Sequence, residues 1–497
     1  MLSCKNFYRL ACIVFVFLVF AVIPAIATVH HVYEGGSIQA AIDTALSGDT
    51  IIVHEGTYIE NVDIDKKLTV MGVESPLVQA DTASDHIFHV TADSVNVSGF
   101  IVKGATATYK AGIYITPDYC NISYNDIYNN YHGIYLYRAS NNIMANNVVH
   151  NNYKHGIYLS TFCDSNTISN NTISDNTEDG IRLTGTAGNN TIKNNTINSN
   201  SHGIWVASDS NQIIGNDVFS NTAGGSGIHL TSAASNNVIQ FNNIIGNSPE
   251  GSGSYGVYND NAAETVDATL NYWGDANGPT HPGNPSGTGD AVSDNVEYEP
   301  YFADTVKNEP TTAGTDTIDA KSTANTEVIK EGTGTPTISV AKYASNPGGT
   351  HTFTAFTGGY IDVHIDDTTD VDAITIQLHY PNTVSPEVGL ALYWWNGTAW
   401  ILCSQQGINT TDFPPNYGGY IWARITRTTT PNLEDLFGGP FGGGSTPIVT
   451  FYPSIAFVIF AVLVVLATIV YLRCVKCKVK GKKLVASGFI PDVNNPK

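Results

Sequence analysis

Two columns of chemically capable side chains stand out in the first half of the chain. Six copies of the tetrad Gly-Ile-x-aliphatic begin at Gly112, Gly133, Gly156, Gly180, Gly203 and Gly227, spaced 21, 23, 24, 23 and 24 residues apart. A weaker copy begins at Gly256. The residue before each glycine runs Ala111, His132, His155, Asp179, His202, Ser226, Tyr255. The residue two after it runs Tyr114, Tyr135, Tyr158, Arg182, Trp205, His229, Tyr258. If each copy is one turn of a coiled chain, equivalent positions stack about 4.8 Å apart. The result is a strip of aromatics beside imidazoles, with Asp179 and Arg182 at its centre. Flat rings stack on sugar faces, while imidazole, carboxylate and guanidinium groups bond hydroxyls or carboxylates. Tyr114, Tyr135, Tyr158, Arg182, Trp205 and His229 are therefore the expected carbohydrate-binding residues. Aromatics are also favoured on exposed strands for packing alone, and that plainer reading stands beside the first.

Catalysis and metal binding are two further chemistries for the same strip. Asp179, Arg182, His155 and His202 are the candidate catalytic set. Stacked His132–His155, or His155–Asp179–His202, offers ligands to a transition metal. A calcium site would need paired aspartates near a cation, and only Asp179 with Arg182 comes close. A separate copper site is conceivable at residues 28–30. Cleavage after Ala27 would leave Thr28-Val29-His30, whose amine, two amides and imidazole form a square-planar nitrogen set for Cu(II) or Ni(II). His31 could add a ligand.

The elements that position the strip follow from the spacing between tetrads. Ile/Val-x₄-Ile/Val pairs lie at 122/127, 143/148, 168/173, 192/197, 213/218 and 239/244. Asn occurs two residues before each second member, at 125, 146, 171, 195, 216 and 242. It also occurs three residues after, at 130, 151, 176, 200, 221 and 247. Strands this short cannot bury a flat sheet, but stacked coils share one continuous core. Asn tolerates the left-handed backbone of the corners, and its amide bonds the turn beside it. A period near 23 predicts an all-β right-handed parallel β-helix over residues 28–303. Ser37 to Asp43 opens a short helix suited to cover its open end.

The run Gly48-Asp49-Thr50-Ile51-Ile52-Val53, the Asn-Asn-x-Ile repeats, Asn271-Tyr272-Trp273-Gly274, and Gly289-Asp290-Ala291-Val292-Ser293 together resemble the NosD-like β-helix proteins. These belong to the wider pectin-lyase-like group. The resemblance implies surface or periplasmic proteins, some assisting copper-enzyme maturation and others binding or acting on polysaccharides. Asn176 to Ile181 and Ser201 to Ile204 also faintly resemble polygalacturonase motifs. Asn200 and Ser201 stand where that family would place an Asp pair, and its Arg-x-Lys element is missing. Inverting hydrolysis needs opposed carboxylates about 6.5–9.5 Å apart.

Residues 304–336, rich in Thr, Asp and Gly, read as a linker. Period-two alternation over 337–437 predicts a small β-sandwich, with Asn396-Gly397 as a hairpin turn. It looks similar to sandwich modules near the membrane anchor of archaeal surface proteins. Residues 438–453 read as a Gly-rich stalk.

The chain has 497 residues and a net charge of −21. Residues 1–27 carry Lys5, Arg9, an apolar run and Ala25-Ile26-Ala27, the signature of a signal peptide. The apolar run 454–472 is long enough to span a bilayer, and the basic residues 473–497 predict a cytoplasmic tail. The expected location is a single-pass cell membrane protein with its N-terminal part outside. The leader removes two basic residues, and the tail removes seven basic and one acidic. The exported part then holds 14 basic against 43 acidic residues, net −29. No nucleic-acid footprint exists on such a chain. Outside the leader and the tail, only Cys120, Cys163 and Cys403 remain, too few and too far apart for a disulfide framework. Sequons fall at Asn96, Asn121, Asn170, Asn189, Asn194, Asn396 and Asn409. Scarce ionisable groups favour a surface binder of polysaccharide or other surface molecules, without catalysis. A polysaccharide lyase or glycoside hydrolase acting on an acidic polysaccharide is the first alternative. A copper-handling accessory protein is the second.

Overall fold

The computed structural model describes residues 27–445, apart from 223, 250–252, 386, 388 and 412–416. The expected leader up to residue 26, membrane span 454–472 and tail 473–497 lie outside the described residues. Among the described residues, no helix is long and apolar enough to cross a membrane.

From Val29–Val32 to Val296–Glu297 the chain winds as a right-handed parallel β-helix. Each turn adds one strand to each of three parallel sheets. In one turn these are Ala111–Ile115 in sheet C, Asn121–Ser123 in sheet A and Asp126–Tyr128 in sheet B. Sheet A has twelve strands, and sheets B and C nine each. In sheets A and B the middle residue of a three-residue strand points inward, so Ile122, Ile127, Ile168 and Ile173 are fully buried in one continuous core. The helix Ile38–Thr44, capped by Ser37, lays fully buried Ile38 and Ile42 on that core.

The repeat glycines are required by space rather than by backbone angle. A Cβ on Gly180 would lie 2.7 Å from the Gly203 carbonyl oxygen and 2.9 Å from both Asn200 Nδ2 and Ile197 Cγ2. Two of these neighbours belong to a stacked backbone and a bonded amide, which cannot easily yield. Gly180→Ala is therefore expected to cost about 1–3 kcal/mol of stability. Thermal unfolding of the variant checks this.

Three asparagine ladders hold the corners. The first runs Asn125, Asn147, Asn171, Asn195, Asn216, Asn242, Asn271. The second runs Asn130, Asn152, Asn176, Asn200, Asn221, Asn247 and ends on Asp290. The third, at the corner between sheets C and A, runs Asn142, Asn166, Asn190, Asn211, Asn237. In each, the backbone N–H of one Asn donates to the Oδ1 of the Asn one turn later. Nearly every Nδ2 does the same.

One turn departs from the expected register. Met144, Val149, Asn147 and Asn152 point inward, while Ile143 and Val148 are 45% and 42% exposed. The doubled Asn146-Asn147 and Asn151-Asn152 fit either register. Pairing Met144 with Ile122 and Ile168 places Asn147 and Asn152 in the ladders.

The remainder, to Ser445, is two antiparallel sheets sharing one core. One sheet orders Lys307–Pro310, Thr337–Lys342, Thr354–Ile365, Phe441–Ser445, Leu390–Trp395 and Trp400–Leu402. The other orders Asp316–Ala320, Thr326–Gly332, Val371–Pro381, Tyr417–Ile425 and Gln406–Asn409. Ile338, Val363, Leu392 and Phe441 of the first meet Ile318, Val328, Ile376 and Ile421 of the second.

Two sequence expectations are corrected here. Residues 304–336 are not a linker: they hold three strands, and Ile318, Ala320 and Val328 in them are buried in the core between the sheets. The stalk expected from residue 438 begins with the strand Phe441–Ser445, paired to Leu390–Trp395. At Gly443 a Cβ would lie 2.7 Å from both Leu378 Cδ2 and Phe356 Cζ, so a side chain there would force those core residues to shift.

These sheets dock on the A/B corner of the β-helix. Phe241, Phe302, Val306, Ala341 and Tyr343 form a buried apolar cluster there. Lys193 pairs with Asp366 at 2.9 Å, and His364 stacks on Phe241 at 4.4 Å.

Candidate functional site

Sheet C brings both columns into register. Tyr114 pairs with Tyr135, Tyr135 with Tyr158, Tyr158 with Arg182, Arg182 with Trp205, Trp205 with His229 and His229 with Tyr258. Each of these side chains is partly exposed. Their faces, however, cover one another. The Tyr135 and Tyr158 rings lie 4.9 Å apart at 8°, Arg182 sits 4.9 Å over Trp205, and Trp205 lies 4.1 Å from His229. What the strip offers outward is ring edges and polar tips.

The strip also begins earlier than the repeat glycines suggest. His89 pairs with Tyr114, and His86 stacks on Tyr114 at 4.1 Å. The segment His86-Ile87-Phe88-His89-Val90 is a tetrad turn with Ile87 in place of glycine. That substitution hides it from a search keyed on Gly-Ile.

Asp179 is the hub of the inner column. It is 2% exposed, yet three cationic or imidazole groups surround it. Arg182 Nη1 donates to Oδ2 at 2.7 Å, His202 Nδ1 lies 2.9 Å from Oδ1, and His155 Nδ1 lies 3.2 Å from Oδ2. Burial alone would raise this carboxyl. The hydrogen bonds from His155, His202 and Arg182 outweigh it and hold the group well below the usual carboxylate range. The four candidate catalytic residues are thus brought together. Glu178 is drawn outward into a pair with Lys154.

Burial disfavours the charged form of four imidazoles along the strip. Burial, reinforced by His155 and Lys154, lowers His132 to about 2, and both its ring nitrogens are buried without a partner. Burial also lowers His155, against the pull of Asp179. It lowers His86 and His229 to about 4 each.

The donor sets for metals are less favourable. His155, Glu178 and Asp179 offer atoms within 4.8 Å of one another. A cation there would sit beside the Arg182 guanidinium and the Lys154 ammonium, which already neutralise both carboxylates. The set does not fit a resident copper or calcium ion. His30 and His31 are not brought together either. His30 Nε2 lies 3.0 Å from Asp49 Oδ2, and the Thr28 nitrogen donates to Asp49 Oδ1 at 2.7 Å. His31 Nδ1 lies 2.9 Å from His54 Nε2.

A 95-residue stretch is 35% identical to the cell surface glycoprotein of Methanothermus fervidus, covering 18% of this chain and 15% of that protein. Among solved structures, alginate lyase from Paenibacillus sp. str. FPU-7 aligns at 17% identity and a TM-score of 0.39. That alignment covers 54% of this chain and 99% of the lyase. Pectate lyase Pel9A aligns at 16% and 0.35, covering 55% and 79%. Residues 42–224, the turns that carry most of the strip, match the family model described as periplasmic copper-binding protein (NosD), and the β-helix is accordingly NosD-like.

Proposed function

We propose that this chain is an extracellular surface protein, anchored by its apolar C-terminal segment, that binds polysaccharide without catalysis along the strip on sheet C. The observation that carries the reading is the unbroken register of seven partly exposed side chains from Tyr114 to Tyr258. Because the ring faces are already stacked, recognition works through edges: tyrosine hydroxyls, the Trp205 indole edge and the Arg182 guanidinium. Such contacts suit hydroxyls and carboxylates repeated along an extended polymer. A glycan array with residues 28–445 tests the proposal. Binding is expected, and Arg182→Gln with Trp205→Ala is expected to weaken it at least tenfold, about 1.4 kcal/mol. An array without hits, or a double variant that binds equally well, overturns it.

The Asp179–His202 contact supports a second reading. A buried carboxylate fixed on Nδ1 leaves Nε2 of a partly exposed imidazole as a proton acceptor, the arrangement of a general base. This suits a polysaccharide lyase better than a glycoside hydrolase. Hydrolysis by inversion needs a second free carboxylate opposite the first, and Glu178 is tied to Lys154. Unsaturated ends released from an acidic polysaccharide, and lost in His202→Ala, would favour this reading over binding alone.

A further inference from the structure

The five sequons of the β-helix are not spread around it. Asn96 and Asn121 lie on sheet A, as register partners in successive turns. Asn170 and Asn194 occupy the left-handed corner position between sheets A and B, with φ of 56° each. Asn189 occupies the same kind of position immediately before the sheet A strand Thr191–Lys193, with φ of 54°. None falls on a strand of sheet B or C. Asn96, Asn170 and Asn189 are exposed, and Asn121 is half-buried. Asn194 differs: its Nδ2 donates to Thr337 Oγ1 at 2.9 Å, and the neighbouring Lys193 pairs with Asp366, so the antiparallel sheets cover it.

We propose that N-linked glycans coat sheet A and its corners at Asn96, Asn121, Asn170 and Asn189, exclude Asn194, and leave the strip on sheet C bare. The donor is an oligosaccharide carried on a polyprenyl phosphate or pyrophosphate. Asn Nδ2 forms a bond to C1 of the first sugar as the C1–O bond to the carrier breaks. The carrier phosphate leaves with that electron pair, and the amide loses one proton to a base. The proposal rests on the export reading above, not on the identity of any ligand. It gives the molecule two unlike faces, one sugar-coated and one free for contact.

Glycopeptide mass spectrometry of the full-length protein, from a host that N-glycosylates exported proteins, tests it. Asn170 and Asn189 are expected to carry glycan and Asn194 none. Thr172→Ala should remove one glycan mass, and Thr196→Ala should remove none. Occupancy of Asn194 matching that of Asn170 overturns the proposal, as does an exported protein with bare sheet A sequons. Protease shaving of intact cells separates the two failures. Release of β-helix peptides without glycan defeats this proposal alone, and no release defeats the export reading as well.

Discussion

Replacing Asn195 by leucine is expected to destabilise the β-helix by about 3–5 kcal/mol, although the volumes are similar. Asn195 is 1% exposed and sits mid-ladder. Its Oδ1 accepts from the Asn171 backbone N–H and Nδ2 at 2.9 Å each, and its Nδ2 donates to the Ile168 carbonyl at 2.9 Å. A leucine would orphan the Asn171 N–H and the Ile168 carbonyl in the dry core. Each such buried group costs about 1–3 kcal/mol. Asn96, exposed on a sheet A strand, supplies the control: Asn96→Leu is expected within about 0.5 kcal/mol of the parent. Denaturant unfolding of the three proteins measures the difference. Equal midpoints for the two variants would show that the ladder contributes nothing to stability.

Acid is expected to weaken the fold well above the carboxylate range. His132, His86 and His229 have folded pKa values lowered to about 2, 4 and 4, against about 6.5 when unfolded. Between those limits the unfolded chain binds more protons than the folded one, so stability falls as pH falls from about 6.5. For His132, 1% exposed, this amounts to roughly 3 kcal/mol by pH 4, at about 1.4 kcal/mol per pH unit. Asp179 acts in the same direction at lower pH. Its depressed carboxyl stabilises the fold above its unfolded value, and that contribution is lost as pH falls further. Melting temperatures at pH 7.5, 5.5 and 4 should descend. His132→Phe should flatten the descent, because neither ring nitrogen has a bond to lose. A variant whose acid sensitivity matched the parent's would remove His132 from the account.

Much of this was legible in the residues, and the exceptions have physical causes. The glycine tetrads and Asn spacing imply coils, and coils alone place Asp179 beside His155 and His202. The slip at Met144 arose because doubled asparagines fit two registers, and only the stacked neighbours choose between them. The third ladder is present as Asn two residues before Ile168, Ile192, Ile213 and Ile239, a spacing as regular as the other two. His86 was hidden by Ile87 in the glycine position. The strands within 304–336 were obscured because a partner sheet, not their own sequence, supplies most of the apolar surface they pack against. Nor does any column reveal ring tilt, which decided that the strip presents edges and not faces.

The asparagine ladders have a direction. Along each ladder the backbone N–H of a rung donates to the turn on its C-terminal side, and its Oδ1 accepts from the turn on its N-terminal side. During synthesis, a newly wound turn therefore shows the solvent a row of unused N–H groups until the next turn supplies its oxygens. The growing tip is a template that invites acceptors, and each arriving asparagine renews the invitation. Asp290 closes the second ladder, where it takes Asn247 Nδ2 at 2.9 Å and the Asn247 N–H at 2.8 Å. A carboxylate only accepts, so it offers nothing for a further turn to bind. The second ladder ends there, because that side chain has no N–H to pass on and the Asp290 backbone N–H is spent on the Trp273 carbonyl.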